Sequence, residues 1–244
     1  MEIKIQIQPD DESCGPTCLH AVYQYYGLDI SLLDIAQTID RSISGGTLSP
    51  MLGKHALQQG FKSTIYVYNL VIFDPSWFKK NKVDNGFLVD KLTAQMHYKN
   101  DPYIHMESKA FIDYLILGGK VRAHPLNVTL LKKYFKLNRP IITGLSATNL
   151  YWSPREQFTE AGESMYDDIC GTPCGHFVIL CGYDAQKRHV IVADPLTENP
   201  IFHDNYYRVN INRLINSIML GVLTYDGNLL IIEPREINAN SYCD

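Results

Sequence analysis

The stretch Gln8-Pro-Asp-Asp-Glu-Ser-Cys14-Gly-Pro-Thr-Cys18-Leu19 decides how the rest of the chain reads. Gly15-Pro16 directly after Cys14 marks a first helical turn, where proline's fixed φ and missing N–H cost nothing. Leu19, Val22, Tyr23 and Tyr26 fall on one stripe and carry that helix to a stop at Gly27. The Cys14 thiol then stands at the positive end of the helix, facing N–H groups that no helical carbonyl satisfies. A free thiol, with a pKa of about 8.5, is only a few per cent thiolate at neutral pH; this setting raises that share. The acidic, turn-forming Asp10-Asp11-Glu12-Ser13 ahead of it argues against the deep burial usual for free cysteine. Cys18 lies one turn further in, gains less from the helix end and reads as core.

The second half of the chain supplies partners. Cys174-Gly-His176-Phe-Val-Ile-Leu-Cys-Gly-Tyr183 sets an imidazole at the head of an apolar strand, and Ala193-Asp194-Pro195 closes the next strand with a carboxylate. A short turn around Ala185–Arg188 joins the two as an antiparallel hairpin, which sets residue 176 opposite a position near 194 to 196. Asp194 can accept from one ring nitrogen and fix the tautomer, leaving the other nitrogen for the thiol. His20 shares the Cys14 helix but points away from Cys14, and His189 has no carboxylate partner in the hairpin. Gln8 offers a side-chain amide that can donate to a developing oxyanion beside the Cys14 N–H. Cys14, His176, Asp194 and Gln8 together are the parts of a cysteine nucleophile system that cuts or transfers an acyl group.

Around these motifs the pattern predicts α+β. Residues 2–7 alternate as a short strand, Ser31 caps a helix to Ile39, and Thr47 caps another to Gln59, ended by Gly60. Ile65–Leu70 is strand-like. Residues 74–119 are mostly helical, with breaks at Pro75, Gly86 and Pro102, and Asn127 caps a helix through Lys136. Strands follow at Pro140–Leu145, His176–Tyr183, His189–Ala193 and Leu229–Glu233, with a helix at Ile211–Leu220. Helices first and an antiparallel sheet after give one layered α+β unit. The long loop between Ser146 and Gly175 ends at His176 and is expected to form one wall of a cleft.

With 244 residues, 45% apolar, the chain can bury a sizeable core, and a formal charge of −4 argues against a nucleic-acid surface. Lys132-Lys133 is a short basic step on a helix face, not a patch. No apolar run reaches the roughly 18 residues of a membrane span, and no signal-peptide pattern opens the chain, so a cytoplasmic protein is expected, or one exported by an unconventional route. Cys14, Cys18, Cys170, Cys174, Cys181 and Cys243 do not space like a disulfide framework. Reduced thiols are expected. A four-cysteine metal site on the two x3 pairs is the lesser alternative.

Gln8, Cys14-Gly-Pro-Thr-Cys-Leu, the helix end Tyr25-Tyr26-Gly27, Gly175-His176-Phe-Val-Ile-Leu, Gly182-Tyr183-Asp184 and Asp194-Pro195 resemble the C39 and C39-like cysteine peptidases, of the papain-like fold class. The resemblance covers the layout of residues 1–60 and 138–233. It leaves 65–135 unexplained, and 74–119 reads as an insertion into a single domain of 1–244. It implies Cys14 as nucleophile, His176 as general base and acid, Asp194 as the orienting residue and Gln8 as the oxyanion donor. Members fused to export transporters cleave leader peptides after a Gly-Gly pair; these 244 residues hold neither transporter spans nor an ATPase. The expectation is therefore a thiol hydrolase acting on a peptide or isopeptide bond, needing no metal or organic cofactor. An acyl- or peptidyltransferase using the same triad, and an inert peptide-binding module on the same fold, stay open as alternatives.

Overall fold

The computed structural model describes residues 1–43, 45–79, 83–158, 164–224 and 226–235. The first part of the chain is helical: α1 (Cys14–Tyr25), α2 (Leu32–Thr38) and α3 (Ser49–Gln58) precede strand β1 (Lys62–Tyr66). After a 3-10 turn at Pro75–Phe78 come α4 (Asn85–Tyr98), α5 (Pro102–Ile116), the short β2 (Lys120–Arg122) and α6 (Val128–Lys136). Strand β3 (Ile141–Ser146) runs into α7 (Ala147–Tyr151), and β4 (Glu156–Phe158) and β5 (Ser164–Tyr166) make a small hairpin. Then follow β6 (Gly175–Asp184), β7 (His189–Ala193), β8 (Tyr206–Asn210), α8 (Ile211–Leu220), a 3-10 turn at Gly221–Thr224 and β9 (Leu229–Glu233).

Among the described residues, seven strands form the main sheet in the order β2-β1-β9-β3-β6-β7-β8. The chain is α+β, but the expected antiparallel sheet is mixed: β2 lies parallel to β1, because helices α4 and α5 carry the chain back over the sheet between them. Strand β6 is apolar at every position from 177 to 181 because both faces of the sheet are covered. Phe177, Ile179 and Cys181 join Leu19, Leu52 and Phe111 in one core. Val178 and Leu180 face Leu131, Leu150 and Leu214 in a second. The sheet is thus sandwiched between α1–α5 and α6–α8.

Local chemistry explains where expectation and structure part. Residues 2–7 form no ladder: the hydroxyl of Tyr206 accepts from the Ile5 N–H and donates to the Ile3 carbonyl, both at 2.9 Å, so a side chain stands where a neighbouring strand would. Thr47 does not cap α3. The Asp226 carboxylate does, accepting from the Ser49 N–H and, at 2.8 Å, from its hydroxyl. The strand expected at Ile65–Leu70 ends at Tyr66, since Asn69 opens a turn by accepting from the Ile72 and Phe73 amides. Gly86 is no break, because it sits in the first turn of α4. The 146–175 stretch, read as loop, contains α7 and the β4–β5 hairpin. Ser31 and Asn127 cap α2 and α6 as the sequence predicts, and Ile211–Leu220 and Leu229–Glu233 match their expected bounds.

Candidate active site

Cys14 is the first residue of α1, half-buried, with the helix packed on β6 through Cys18, whose Sγ donates to the Phe177 carbonyl at 3.4 Å. Gly15 permits this approach. A Cβ there would lie 2.2 Å from the Thr47 hydroxyl oxygen, so a larger residue forces either that side chain or the helix start to shift. His176 is the second residue of β6, and Asp194 immediately follows β7. A bulge between Leu180 and Gly182 shifts the hairpin register. The outcome is a direct bond, His176 Nε2 to Asp194 Oδ1 at 2.8 Å. With Nε2 engaged, Nδ1 is the ring nitrogen left free, and the Cys14 side chain is near enough to help raise the imidazole's pKa.

Asp194 is fully buried, and a buried carboxylate must be satisfied by donors. Four converge on it. Oδ1 also accepts from the Leu196 N–H at 2.9 Å, and Oδ2 accepts from the hydroxyls of Tyr151 at 2.7 Å and Tyr207 at 2.6 Å. Burial pushes the Asp194 carboxyl upward, but His176, Tyr207 and the Leu196 amide outweigh it and hold the group below the usual carboxylate range. For His176, burial favours the neutral ring; the Asp194 carboxylate and the Cys14 side chain overcome that and raise its pKa to about 10. The site therefore favours an imidazolium braced by a carboxylate, next to a sulfur at a helix N-terminus.

Tyr151 and Tyr207 were missed by reading the sequence. Tyr207 had a signal, since it is an inward position of a strand that alternates exposed and buried along 206–210. Its ring stacks on Phe202, with centroids 3.8 Å apart. Tyr151 had none, because it ends a helix only five residues long inside an expected loop.

Gln8 is tied to the same place: its N–H donates to the carbonyl of Pro195, next to Asp194, at 3.1 Å. Its side-chain nitrogen donates to the Asp10 carbonyl at 2.9 Å, and its side-chain oxygen is buried without a partner. The other cysteines differ from Cys14. Burial, with Cys14 and Asp194 adding, raises Cys18 well above the usual thiol range. Burial pushes Cys181 up to about 12. Cys174 is raised by burial first and then by the Glu156 carboxylate. Cys170 is exposed, and Cys243 lies outside the described residues. Among the described residues, no three or more His, Cys, Asp or Glu side chains form a metal-holding group, and no helix is long and apolar enough to cross a membrane.

The chain is similar to several solved structures, all at low identity. The peptidase domain of Streptococcus ComA, described as a bifunctional ABC transporter involved in quorum sensing, is 14% identical; the match covers 96% of this chain and 100% of that one, with a TM-score of 0.42. Xylellain, a cysteine protease from Xylella fastidiosa, is 15% identical over 96% of this chain and 84% of that one, with a TM-score of 0.46. A double-glycine motif protease from an AMS/PCAT transporter, solved with a leader peptide, is 13% identical over 96% and 92%, with a TM-score of 0.42. Overlaps this loose assign no activity. No curated protein matches the chain. A family profile does, across residues 1–211, a span that takes in Gln8, Cys14, His176 and Asp194 alike. On that match over most of its length, the chain belongs to the Peptidase_C39 like family.

Proposed function

We propose that the chain is a cysteine peptidase that works through an acyl-enzyme on Cys14, with His176 as general base and acid, Asp194 as the orienting carboxylate and Gln8 as oxyanion donor. One observation carries this reading: the buried Asp194 bonds His176 Nε2 at 2.8 Å, and the Cys14 side chain is near enough to act on the same ring. Membership of a peptidase family supports the broad class of activity. In this reading the Cys14 proton already rests on Nδ1 of the imidazolium, and the thiolate sulfur attacks the carbonyl carbon of an amide. The C–N bond breaks as Nδ1 returns the proton to the leaving amine. Water, deprotonated by the same nitrogen, then attacks the thioester, and the acid departs as the thiol is restored.

The oxyanion would be held by the Cys14 N–H and by Gln8. A side-chain amide has two N–H bonds; the bond to the Asp10 carbonyl uses one and orients the group, leaving the second for the acyl oxygen. We take residues 1–244 as one peptidase domain bearing 74–119 as an insertion.

The test is product analysis. The chain is incubated with a defined mixture of peptides, with and without hydroxylamine, and new termini are identified by mass spectrometry. Cleavage that vanishes in Cys14→Ala, and is diverted to hydroxamates by hydroxylamine, supports an acyl-enzyme. Cleavage that persists in Cys14→Ala, or no new product from any peptide, contradicts it. Products that appear only with an amine acceptor would identify a transferase instead.

A further inference from the structure

At the other end of the sheet, four strand spacings or roughly 19 Å from the strand that carries His176, lies a cavity of about 620 Å³. Four basic side chains line it: Lys120 and Arg122 from β2, His124 just beyond, and Lys133 from α6. Among the described residues, none that lines it is acidic. Among the described residues, no ion pair neutralises Lys120, Arg122 or Lys133, although the protein as a whole carries a formal charge of −4. The sequence disclosed only the Lys132-Lys133 step; folding gathers the remaining charges from β2 onto the same wall.

The rest of the lining is chemically specific. The ring of Tyr66 stands edge-on to His124, with centroids 6.4 Å apart, and its hydroxyl bonds that of Tyr134 at 2.8 Å. Phe78, from the 74–119 segment, adds a second aromatic surface. His124 Nδ1 bonds the Pro125 carbonyl, which leaves Nε2 for a ligand. The first turn of α6 also contributes, through Thr129, and adds the positive end of a helix. A guanidinium fork and ammonium groups match phosphate oxygens, aromatic faces match an unsaturated ring, and the volume is that of a small-ligand pocket.

We propose that this cavity is a second site, separate from Cys14, that binds a phosphorylated small molecule: Arg122, Lys120 and Lys133 hold the phosphate, and Phe78 packs against the body. This gives residues 74–124 a role that peptide chemistry does not. The proposal does not depend on the peptidase reading.

The test is calorimetric titration of the full chain with AMP and with inorganic pyrophosphate, at low and at physiological salt. Arg122→Glu and Lys133→Glu are the site variants. Lys187→Glu, on the β6–β7 turn, is the charge control; all three side chains are exposed. Saturable one-to-one binding of either probe that weakens with salt, falls about ten-fold or more in both site variants and is kept in the control supports the site. Absence of saturable binding by both probes overturns it. So does binding that survives Arg122→Glu and Lys133→Glu, or that falls equally in Lys187→Glu.

Discussion

Asp194 carries no exposed surface, yet its carboxyl is held below the usual range. That is affordable only because each oxygen accepts two donors, and hydrogen bonds to a charged group contribute about 1.5–3 kcal/mol each. Tyr207→Phe removes one of them. The variant should lose about that much stability by thermal unfolding, and the less-solvated carboxylate should pull harder on the His176 proton. The alkaline limb of Cys14 alkylation should then move to higher pH, a shift that mere loosening of the core would not produce. Asp194→Asn acts in the opposite direction: His176 loses its counter-charge, its pKa falls, and breaking a buried pair costs about 3–5 kcal/mol. The pH window follows from the sign. His176 is raised to about 10 from an unfolded value near 6.5, so its contribution is fully present below 6.5 and disappears as pH rises through 10. The stability gap between wild type and Asp194→Asn should therefore narrow at alkaline pH, as read by urea unfolding at pH 6 and pH 10.

Elements with self-contained signals were legible in the sequence. Helix α1 carries its own stripe and a Gly27 stop at φ 78°, and α2 and α6 bring their caps with them through Ser31 and Asn127. Elements whose determinants lie far along the chain were not. The cap of α3 comes from Asp226, 177 positions away, and the N-terminal segment depends on Tyr206, 201 positions from Ile5. Two predictions belong at this scale. Gly15→Ala should displace the start of α1 from Thr47, cost about 1–3 kcal/mol as overpacking does, and slow Cys14 alkylation, while Gly27→Ala, remote from the sulfur, lowers stability without that slowing. Tyr206→Phe removes both bonds to residues 3 and 5. Hydrogen exchange should rise at the Ile5 amide and leave the α1 amides protected; equal exchange at Ile5 in the variant and wild type would show that the hydroxyl does not hold the segment.

Across the whole molecule, two cores press on one sheet, and the site sits where the ends of β6, β7 and α1 meet. The His176–Asp194 contact was readable, because register within a hairpin is a local rule that survives folding. The layers behind β6 and Tyr151 under Asp194 were not readable, since they depend on which distant element covers which face; Tyr207 showed only in the alternation of its own strand. Burial also sets a global pH response. Asp226 is raised to about 6, mainly by burial, and Glu107 well above the usual range by burial and by Asp226. A group raised in the folded state stabilises most below its unfolded pKa, near 3.9, and loses that stabilisation as pH rises through 6. For Asp226 alone the swing is about 3 kcal/mol, so Tm should fall between pH 4 and pH 7. Asp226→Asn should flatten that slope, because an amide oxygen still accepts from Ser49 and the buried, unpartnered Asn228 side-chain oxygen can turn to meet the new N–H.

The central claim is that His176, held charged by Asp194, activates the sulfur of Cys14 above every other thiol in the chain. It is tested most directly by measuring iodoacetamide labelling of each cysteine by mass spectrometry between pH 5 and pH 10, in wild type, His176→Gln and Asp194→Asn. Cys14 should label fastest and already at pH 5–6, Cys18 and Cys181 should stay unlabelled in the folded protein, and both substitutions should slow Cys14 by at least about ten-fold at pH 6. Labelling of Cys14 no faster than the exposed Cys170, with a pH dependence unchanged by either substitution, would contradict the account.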